Sequence, residues 1–317
     1  MSWSKTLLLL LVMAFGVVAQ AAETRVFKNR FGEVKVPKNP RCVVSLHDFS
    51  LTVQLMELGV KPCGSTGRKK LMSEPLFRGV EHRFDVSGIQ YVGGHKSPDL
   101  EAIAALKPDL ILGLSYHREL KPILSAIAPV VILPVQEEGI KKYAGQLADL
   151  VGRRGSYQDQ LKQYRWMLEE FRRLVPNPDS ITVTTLEIYE DNFQLIGRGG
   201  IDEAIRDLGL GHPKAYKKAR FHVPYSLERV GDFDADFIID TYEPLLNTRQ
   251  QTASFRESAQ WRQLFAVRHG QFLYFNRSRY GESMGGLLGT ASLLFSHIAE
   301  RDRVSRAEEI RAKAKTN

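Results

Sequence analysis

The chain has 317 residues and a formal net charge of +8, with 44 Lys and Arg against 36 Asp and Glu. The basic residues are scattered along the chain, which argues against a nucleic-acid-binding protein and suits an anionic small ligand or an anionic membrane surface. No segment repeats with a period of 20–50 residues, so a solenoid is excluded.

The chain opens with the pattern of a secretory signal peptide: one lysine, an apolar run over 7–18 and a small-x-small triplet at 19–21. The alternative is a membrane anchor, but the run is shorter than the roughly 18 apolar residues that span a bilayer. We therefore expect residues 1–21 to be removed, which leaves about 296 residues for one large or two modest cores. No cysteine directly follows the predicted cleavage site, so we expect no lipid anchor there.

Short apolar strands then alternate with helical patterns. Helices are predicted at 48–60, 100–107 and 121–128, and the strands between them at 42–46, 62–66, 108–115 and 130–135. This βαβα order predicts parallel sheets that are covered by helices on both faces.

Two cysteines, Cys42 and Cys63, each open one of these predicted strands. Neighbouring strands of a parallel sheet bring their starts close together, and an exported protein meets an oxidising environment. We expect a disulfide between them; the alternative is two buried thiols.

A long helix is predicted next. In 156–174 the apolar residues Leu161, Tyr164, Leu168 and Phe171 recur at helical spacing, and Ser156 is the predicted N-cap. Nineteen residues at 1.5 Å each give a helix of about 28 Å.

A second α/β run follows the long helix. It has strands at 181–189, 235–242 and 270–275, a helix at 201–210 and a last helix from about Ser283 to Arg301. The predicted fold is thus α/β, with two Rossmann-like lobes (22–154 and 177–317) joined by one backbone helix (155–176) and a ligand cleft between them.

Three segments carry a family resemblance. The stretches SPDLEAIAALKPDLILGLS (97–115), YSLERVGDFDADFIID (225–240) and WRQLFAVRHGQFLYF (261–275) resemble the helical-backbone class of ABC-transporter substrate-binding proteins. The likeness runs through the mature chain in order. It implies a monomeric periplasmic protein, not an enzyme, that carries a solute to an inner-membrane ABC permease and needs no cofactor.

Within that class the chain is most similar to ferric-siderophore binders of the ferric hydroxamate and ferric dicitrate types. LMSEPLF (71–77) and YVGGHKSPDLE (91–101) resemble the hydroxamate binder, which has an arginine where this chain has His95. RYGES (279–283) resembles the late loop whose tyrosine, here Tyr280, lines the ligand cleft. The resemblance also implies a surface glutamate on each lobe for permease docking: Glu203 matches in the second lobe, and Glu57 lies near the first-lobe position.

A ferric siderophore is a bulky anion, and arginine offers carboxylate or catecholate oxygens a planar pair of donors. In open α/β sheets such ligands lie beyond the carboxyl ends of the strands, so the loops there supply the candidates, with Arg277 among them. Arg68, Arg198 and Arg279 are predicted to meet the ligand's charge, and Tyr116, Tyr242 and Tyr280 to form walls. The complete predicted ligand site is Arg68, His95, Tyr116, Arg198, Tyr225, Tyr242, Arg279 and Tyr280.

Two alternatives remain at this point. His47, His117, His222 and Glu243 could converge on a bare metal ion such as zinc, which would make the chain a metal-binding member of the same class. Gly281 to Gly285 also fits the G-x-S-x-G motif of a serine hydrolase. Ser283, however, lies eight residues beyond Phe275, and no aspartate or glutamate falls between Ser283 and the downstream His297, so Ser283 is predicted to cap the last helix instead.

The chemical type of the ligand stays open. Hydroxamate, catecholate, citrate and mixed siderophores, haem and cobalamin are all compatible with the predicted fold.

Overall fold

The computed structural model describes residues 23–67, 84–197, 199–244, 248–279 and 281–316. In these ranges one five-stranded sheet precedes, and another follows, the 21-residue helix Arg154–Leu174. The predicted fold class, two α/β lobes joined by one long helix, is confirmed.

The described strands before the long helix are β1 (Thr24–Asn29), β2 (Gly32–Pro37), β3 (Val43–Ser45), β4 (Gly64–Ser65), β5 (Gln90–Tyr91), β6 (Gly93–Gly94), β7 (Ser97–Pro98), β8 (Leu110–Leu114) and β9 (Val130–Leu133). The first sheet has the order β5-β4-β3-β8-β9, and all its pairings are parallel. Strands β3, β8 and β9 are buried throughout, as expected when both faces of a sheet are covered. Two antiparallel pairs, β1 with β2 and β6 with β7, lie outside this sheet.

The described α-helices of this lobe are α1 (Val53–Glu57), α2 (Leu100–Ala105), α3 (Lys121–Leu124), α4 (Val135–Glu138) and α5 (Ile140–Leu150). A π-helical turn, Asp48–Thr52, leads directly into α1. Gly59, at a φ of +76°, ends this helix in a left-handed conformation that suits glycine. Asp99 caps α2, since its carboxylate accepts the N–H of Ala102 at 2.9 Å.

The predicted disulfide is confirmed. Cys42 and Cys63 are bonded, with their Cα atoms 5.2 Å apart, and each cysteine directly precedes a strand of the parallel β3–β4 pair. The alternative of two buried thiols is therefore wrong.

The long helix, α6 (Arg154–Leu174), spans about 31 Å at 1.5 Å per residue. Its buried residues are the predicted stripe of Leu161, Tyr164, Leu168 and Phe171. The helix begins two residues before the predicted cap. Its first hydrogen bond joins the Tyr157 N–H to the Arg153 carbonyl at 3.2 Å, so Ser156 lies inside the first turn.

The described strands after α6 are β10 (Val183–Ile188), β11 (Asn192–Leu195), β12 (Pro224–Ser226), β13 (Phe237–Tyr242) and β14 (Phe272–Asn276). They form a sheet in the order β12-β11-β10-β13-β14. Strands β10, β13 and β14 are parallel, as predicted, whereas β11 and β12 form an antiparallel edge that the sequence analysis missed. Only three residues separate β10 from β11, which is too few for a parallel crossover.

The described α-helices of the second lobe are α7 (Gly200–Asp207), α8 (Thr248–Gln251), α9 (Ala253–Arg256), α10 (Ala259–Arg262), α11 (Phe265–Arg268), α12 (Met284–Leu294) and α13 (Arg306–Thr316). The helix predicted from about Ser283 to Arg301 corresponds to α12 and the π-helical turn Phe295–Ala299 that continues it, whereas α13 is a further helix that the sequence analysis did not predict. Gln271 holds the segment between them, because its side chain bonds both the N–H and the carbonyl of Val304, at 2.6 and 3.1 Å.

One apolar cluster joins the two lobes. It includes Leu55 and Leu147 from the first lobe, Phe171 from α6 and Leu287 from the second lobe, all fully buried. Helix α6 is thus packed against both lobes. Because close-packed interiors deform little, this arrangement favours limited movement of one lobe against the other.

Candidate functional site

A cavity of about 190 Å³ lies between the lobes, next to the carboxyl ends of strands from both sheets. Phe49 lines it from the loop after β3, while Tyr189 follows β10 and Arg277 follows β14. His222 and Glu282 complete its wall. This is where an open α/β sheet places a ligand.

A larger groove, of about 1070 Å³, shares His222 and Glu282 with this cavity. Its sides are the start of α5 in the first lobe and α7 in the second. Its charged side chains are partly paired with one another, since Lys141 contacts both Asp207 and Glu203 and Arg206 pairs with Asp202 at 3.2 Å. More carboxylates than cations line the groove, so it would repel the anionic groups of a ligand.

Arg277 supplies positive charge at the smaller cavity. Its Nε forms an ion pair with the carboxylate of Glu187, near the end of β10; the Arg277 side chain is 30% exposed and that of Glu187 is fully buried. Burial raises the pKa of Glu187, and the Arg277 charge opposes this rise. Tyr189 lines the cavity beside this pair, and burial raises its pKa to about 12, so it remains a neutral phenol.

The residues on either side of Arg277 are also anchored. The Ser278 hydroxyl donates to the buried carboxylate of Glu243, which follows β13, and the Ser278 N–H donates to Asn276 Oδ1 at 2.9 Å. The turn that presents Arg277 is therefore held by side chains from two strands.

The first-lobe side of the cleft carries rings. The rings of His47 and His95 lie 5.7 Å apart, and Tyr116, which is 42% exposed, lies 6.4 Å from His47 and 4.2 Å from His117. Burial raises the pKa of Tyr116. The predicted residues His95, between β6 and β7, and Tyr116, two residues beyond β8, thus both lie beside the ring of His47, but neither lines the cavities described above.

Tyr242 lies beside a second group of rings and cations. Its ring is 4.7 Å from that of Tyr274, and Arg249 lies 5.7 Å from the Tyr242 ring centre. Arg256 lies 4.3 Å from the Tyr274 ring centre and forms two bonds, of 2.6 and 2.9 Å, with the buried carboxylate of Asp240. Burial raises the pKa of Asp240 to about 6 against the opposing effect of Arg256. Cations beside aromatic rings stabilise this group, which fixes the position of the Tyr242 side chain.

Several predicted ligand residues cannot be placed. Arg68, Arg198 and Tyr280 lie outside the described residues, and only the backbone of Arg279, in the turn Arg277–Arg279, is described. Their predicted roles stay predictions.

Tyr225 has a packing environment rather than a place on the cavity wall. Its ring stacks on Phe193 at 5.5 Å and meets Phe233 edge-on at 5.3 Å, while its hydroxyl accepts the Arg220 N–H at 2.7 Å. It lines neither of the cavities above. The aromatic cluster of the second lobe accounts for this tyrosine.

The glutamates predicted to lie on the surface are used inside the protein. Glu203 is only 7% exposed, and its carboxylate accepts the N–H of Ile140 at 2.7 Å. Glu57 accepts the N–H of Gly285 at 2.8 Å and the Ser283 hydroxyl at 3.0 Å. The prediction of a surface position is therefore wrong for Glu203, because the carboxylate caps a helix of the opposite lobe.

The metal alternative is not supported. Among the residues that the structure describes, no group of three or more His, Cys, Asp or Glu side chains is placed to hold a metal ion. The ring of His117 is already engaged: Nδ1 accepts the Leu114 N–H at 2.9 Å and Nε2 lies 2.6 Å from the His95 carbonyl. His47 likewise accepts the Ser50 N–H, and Glu243 binds Ser278.

Ser283 is a helix cap, as the sequence predicted. Its hydroxyl accepts the Gly286 N–H at 3.0 Å at the start of α12 and donates to Glu57, and the residue is only 1% exposed. This environment leaves the hydrolase alternative without an accessible nucleophile at this position.

Sequence reasoning missed the roles of Arg277, Phe49 and Tyr189. Arg277 is among the predicted loop candidates, but the predicted ligand site contains Arg279 instead. The signal available in the sequence is position, because Tyr189 is the last residue of one predicted strand and Arg277 lies two residues beyond another. Nothing local indicated that Phe49, within a predicted helix, would line the cavity.

Comparisons with known proteins agree with this geometry. Residues 66–277 match the family described as periplasmic binding protein. The achromobactin-binding periplasmic protein of Dickeya dadantii is 30% identical over 82% of this chain and 86% of its own length. The Fe(3+)-citrate-binding protein YfmC of Bacillus subtilis is 25% identical over 80% of this chain and 78% of its own.

A solved structure shows the same fold. SirA of Staphylococcus aureus, crystallised with staphyloferrin B, matches with a TM-score of 0.72 and 22% identity over 87% of this chain and 98% of its own. Within the described ranges no helix combines the length and the apolar character that crossing a membrane requires.

Proposed function

Because this chain belongs to the periplasmic binding protein family, we propose that it captures an anionic ferric chelate between its two lobes and delivers it to an inner-membrane ABC permease. The ligand would be a ferric siderophore or a similar iron complex. The protein itself would carry the solute without transforming it, as its relatives are substrate-binding proteins.

The comparisons support iron as the cargo. One relative is named for achromobactin and another for Fe(3+)-citrate, and both match this chain over about four fifths of its length. A likeness of that extent covers both lobes and the helix between them.

The observation that carries the proposal is Arg277. Its partly exposed side chain lines a cavity between the lobes, and a fully buried carboxylate anchors its Nε. Arginine is suited to such a ligand because it stays charged and donates two parallel hydrogen bonds to carboxylate oxygens.

Location and delivery complete the proposal. The predicted signal peptide would export the chain to the periplasm, and the predicted cleavage site carries no cysteine for a lipid anchor. Docking to the permease would use surfaces other than the Glu203 carboxylate, which is occupied within the protein.

A titration of the protein's tyrosine and tryptophan fluorescence tests the function. The panel would contain ferric citrate, a ferric hydroxamate and a ferric catecholate, with cobalamin, haemin and zinc as controls. We expect saturable quenching by at least one ferric chelate and none by zinc. Saturation by cobalamin or haemin alone, or by no compound, would overturn the proposal.

The arginines predicted from the sequence are tested in the same titration. Alanine substitution of Arg68, Arg198 or Arg279 should each weaken binding of the ferric chelate. Arg165→Ala, on the exposed side of α6, is the matched control and should bind normally. Unchanged affinity in all three variants would remove these residues from the site.

A further inference from the structure

We propose that Glu187 is a positioning residue, which fixes the Arg277 guanidinium at the inter-lobe cavity so that it receives a carboxylate of the ferric chelate. This inference rests on the proposed function and deepens it, because it names carboxylate-bearing ferric chelates as the ligand class. Citrate complexes of Fe(3+) are the simplest members of that class.

Burial of the Glu187 carboxylate is energetically unfavourable by itself. It lies on β10, the central strand of its sheet, and its side chain is fully buried. A carboxylate removed from water requires a paired cation and hydrogen bonds, and an apolar residue would usually serve stability as well.

Of the two paired side chains, only that of Arg277 is partly exposed. Arg277 Nε is buried and lies in ion-pair contact with Glu187 without forming a hydrogen bond, yet 30% of the Arg277 side chain is exposed and lines the cavity. The exposed area therefore lies on the rest of the side chain. The attraction to the buried carboxylate draws the Nε side of the guanidinium inward and leaves the other end of the planar group for two-point contact with a carboxylate of the ligand.

The surroundings limit the freedom of Arg277 further. Tyr189 lines the cavity beside Arg277, and the next residue after Arg277, Ser278, donates a hydrogen bond to Glu243. Glu243 lies close enough to Glu187 to raise the pKa of Glu187. The backbone at Arg277 is thus fixed by one buried carboxylate, and its guanidinium is paired with another.

A matched set of variants tests the proposal with ferric citrate as the probe. The set is Glu187→Gln, Glu187→Asp, Arg277→Ala, the Glu187→Gln/Arg277→Ala double variant, and Glu190→Gln as control. Glu190 is exposed three residues further along the same segment, so its change removes one carboxylate without touching Arg277. Thermal unfolding is measured in parallel for every variant.

We expect Glu187→Gln and Arg277→Ala each to weaken ferric citrate binding roughly 10- to 100-fold, the range of one lost charge-assisted hydrogen bond. The double variant should bind like Arg277→Ala alone, since the two residues act as one unit. Glu187→Asp, which keeps the charge, should recover part of the affinity, and Glu190→Gln should bind as the wild type does. A purely structural role would instead make affinity follow the melting temperature.

Two outcomes overturn this inference while leaving the proposed function intact: wild-type affinity in folded Glu187→Gln, or losses that multiply in the double variant. If Glu187→Gln does not fold, Arg277→Lys decides, because lysine keeps the charge beside Glu187 but lacks the planar fork. Wild-type affinity in Arg277→Lys would overturn the inference. If the wild type binds a different ferric chelate and not ferric citrate, the ligand class fails; if it binds no ferric chelate, the proposed function fails with it.

Discussion

The carboxylate of Glu203, in the second lobe, accepts the backbone N–H of Ile140, in the first lobe, with an Oε2–N distance of 2.7 Å. Ile140 is the first residue of α5, so Glu203 serves as a cap for a helix that is remote in sequence. Glu57 of the first lobe does the same for α12 of the second lobe through Gly285. Each lobe therefore holds the start of a helix in the other, and a carboxylate at a helix N-terminus is electrostatically favourable.

Removal of the Glu203 cap should destabilise the protein. Glu203→Ala leaves the N–H groups at the start of α5 without their carboxylate and should lower the free energy of unfolding by about 1–3 kcal/mol. Urea denaturation measures the loss. Glu137→Ala, an exposed glutamate of the same groove, is the control and should change stability by less than about 0.5 kcal/mol. Equal effects of the two variants would contradict the capping role.

The Glu57 cap should be separable from the Ser283 cap. Ser283→Ala removes the hydroxyl that accepts the Gly286 N–H and should lower the free energy of unfolding by about 1 kcal/mol. Ser283→Gly should lower it by only a few tenths of a kcal/mol, because glycine is itself tolerated at a helix N-cap. Glu57→Ala should additionally speed hydrogen exchange at Gly285, whose N–H it binds. Exchange at Gly285 that is the same in Glu57→Ala and in the wild type would disprove the contact.

Stability should fall with acid because of His117. Burial lowers the pKa of His117, so below the ordinary histidine pKa of about 6.5 the unfolded chain takes up a proton that the folded protein resists. The unfolded state then binds more protons, and stability declines as the pH falls from about 6.5 to the lowered folded-state value. His117→Gln should show a shallower decline in urea denaturation between pH 7.5 and 5.5. An identical slope in both proteins would exclude His117 as the cause.

Reduction of the disulfide should also destabilise the first lobe. Cys42 and Cys63 are 21 positions apart, and closing a loop of that length in the unfolded chain is worth about 3 kcal/mol in the chain-entropy view. The Cys42→Ser/Cys63→Ser variant should lose about this much and become insensitive to dithiothreitol, which should still destabilise the wild type. The same free energy of unfolding for the wild type with and without dithiothreitol, measured by urea denaturation, would contradict this expectation.

Features that depend on nearby residues could be predicted from the sequence. The buried stripe of α6, with Tyr164 and Phe171, follows from the helical repeat, and the caps Asp99 and Ser283 bond N–H groups three residues away. The parallel pairing of β3 with β4 and the disulfide followed from βαβ connectivity. The chain after α12 was less predictable, because the distant side chain of Gln271 holds it at Val304, before α13 begins.

In the candidate site, too, features that depend on neighbouring residues could be predicted, and contacts between distant residues could not. Two α/β lobes, a helix between them and a set of arginines and rings after the strands can be predicted from the sequence, because periodicity and connectivity are properties of adjacent residues. The contact of Arg277 with Glu187, and the inward positions of Glu203 and Glu57 at helix starts of the opposite lobe, depend on how the lobes pack. These pairs join residues far apart along the chain, and the free energy of burying a charge decides them only once packing has brought both partners together.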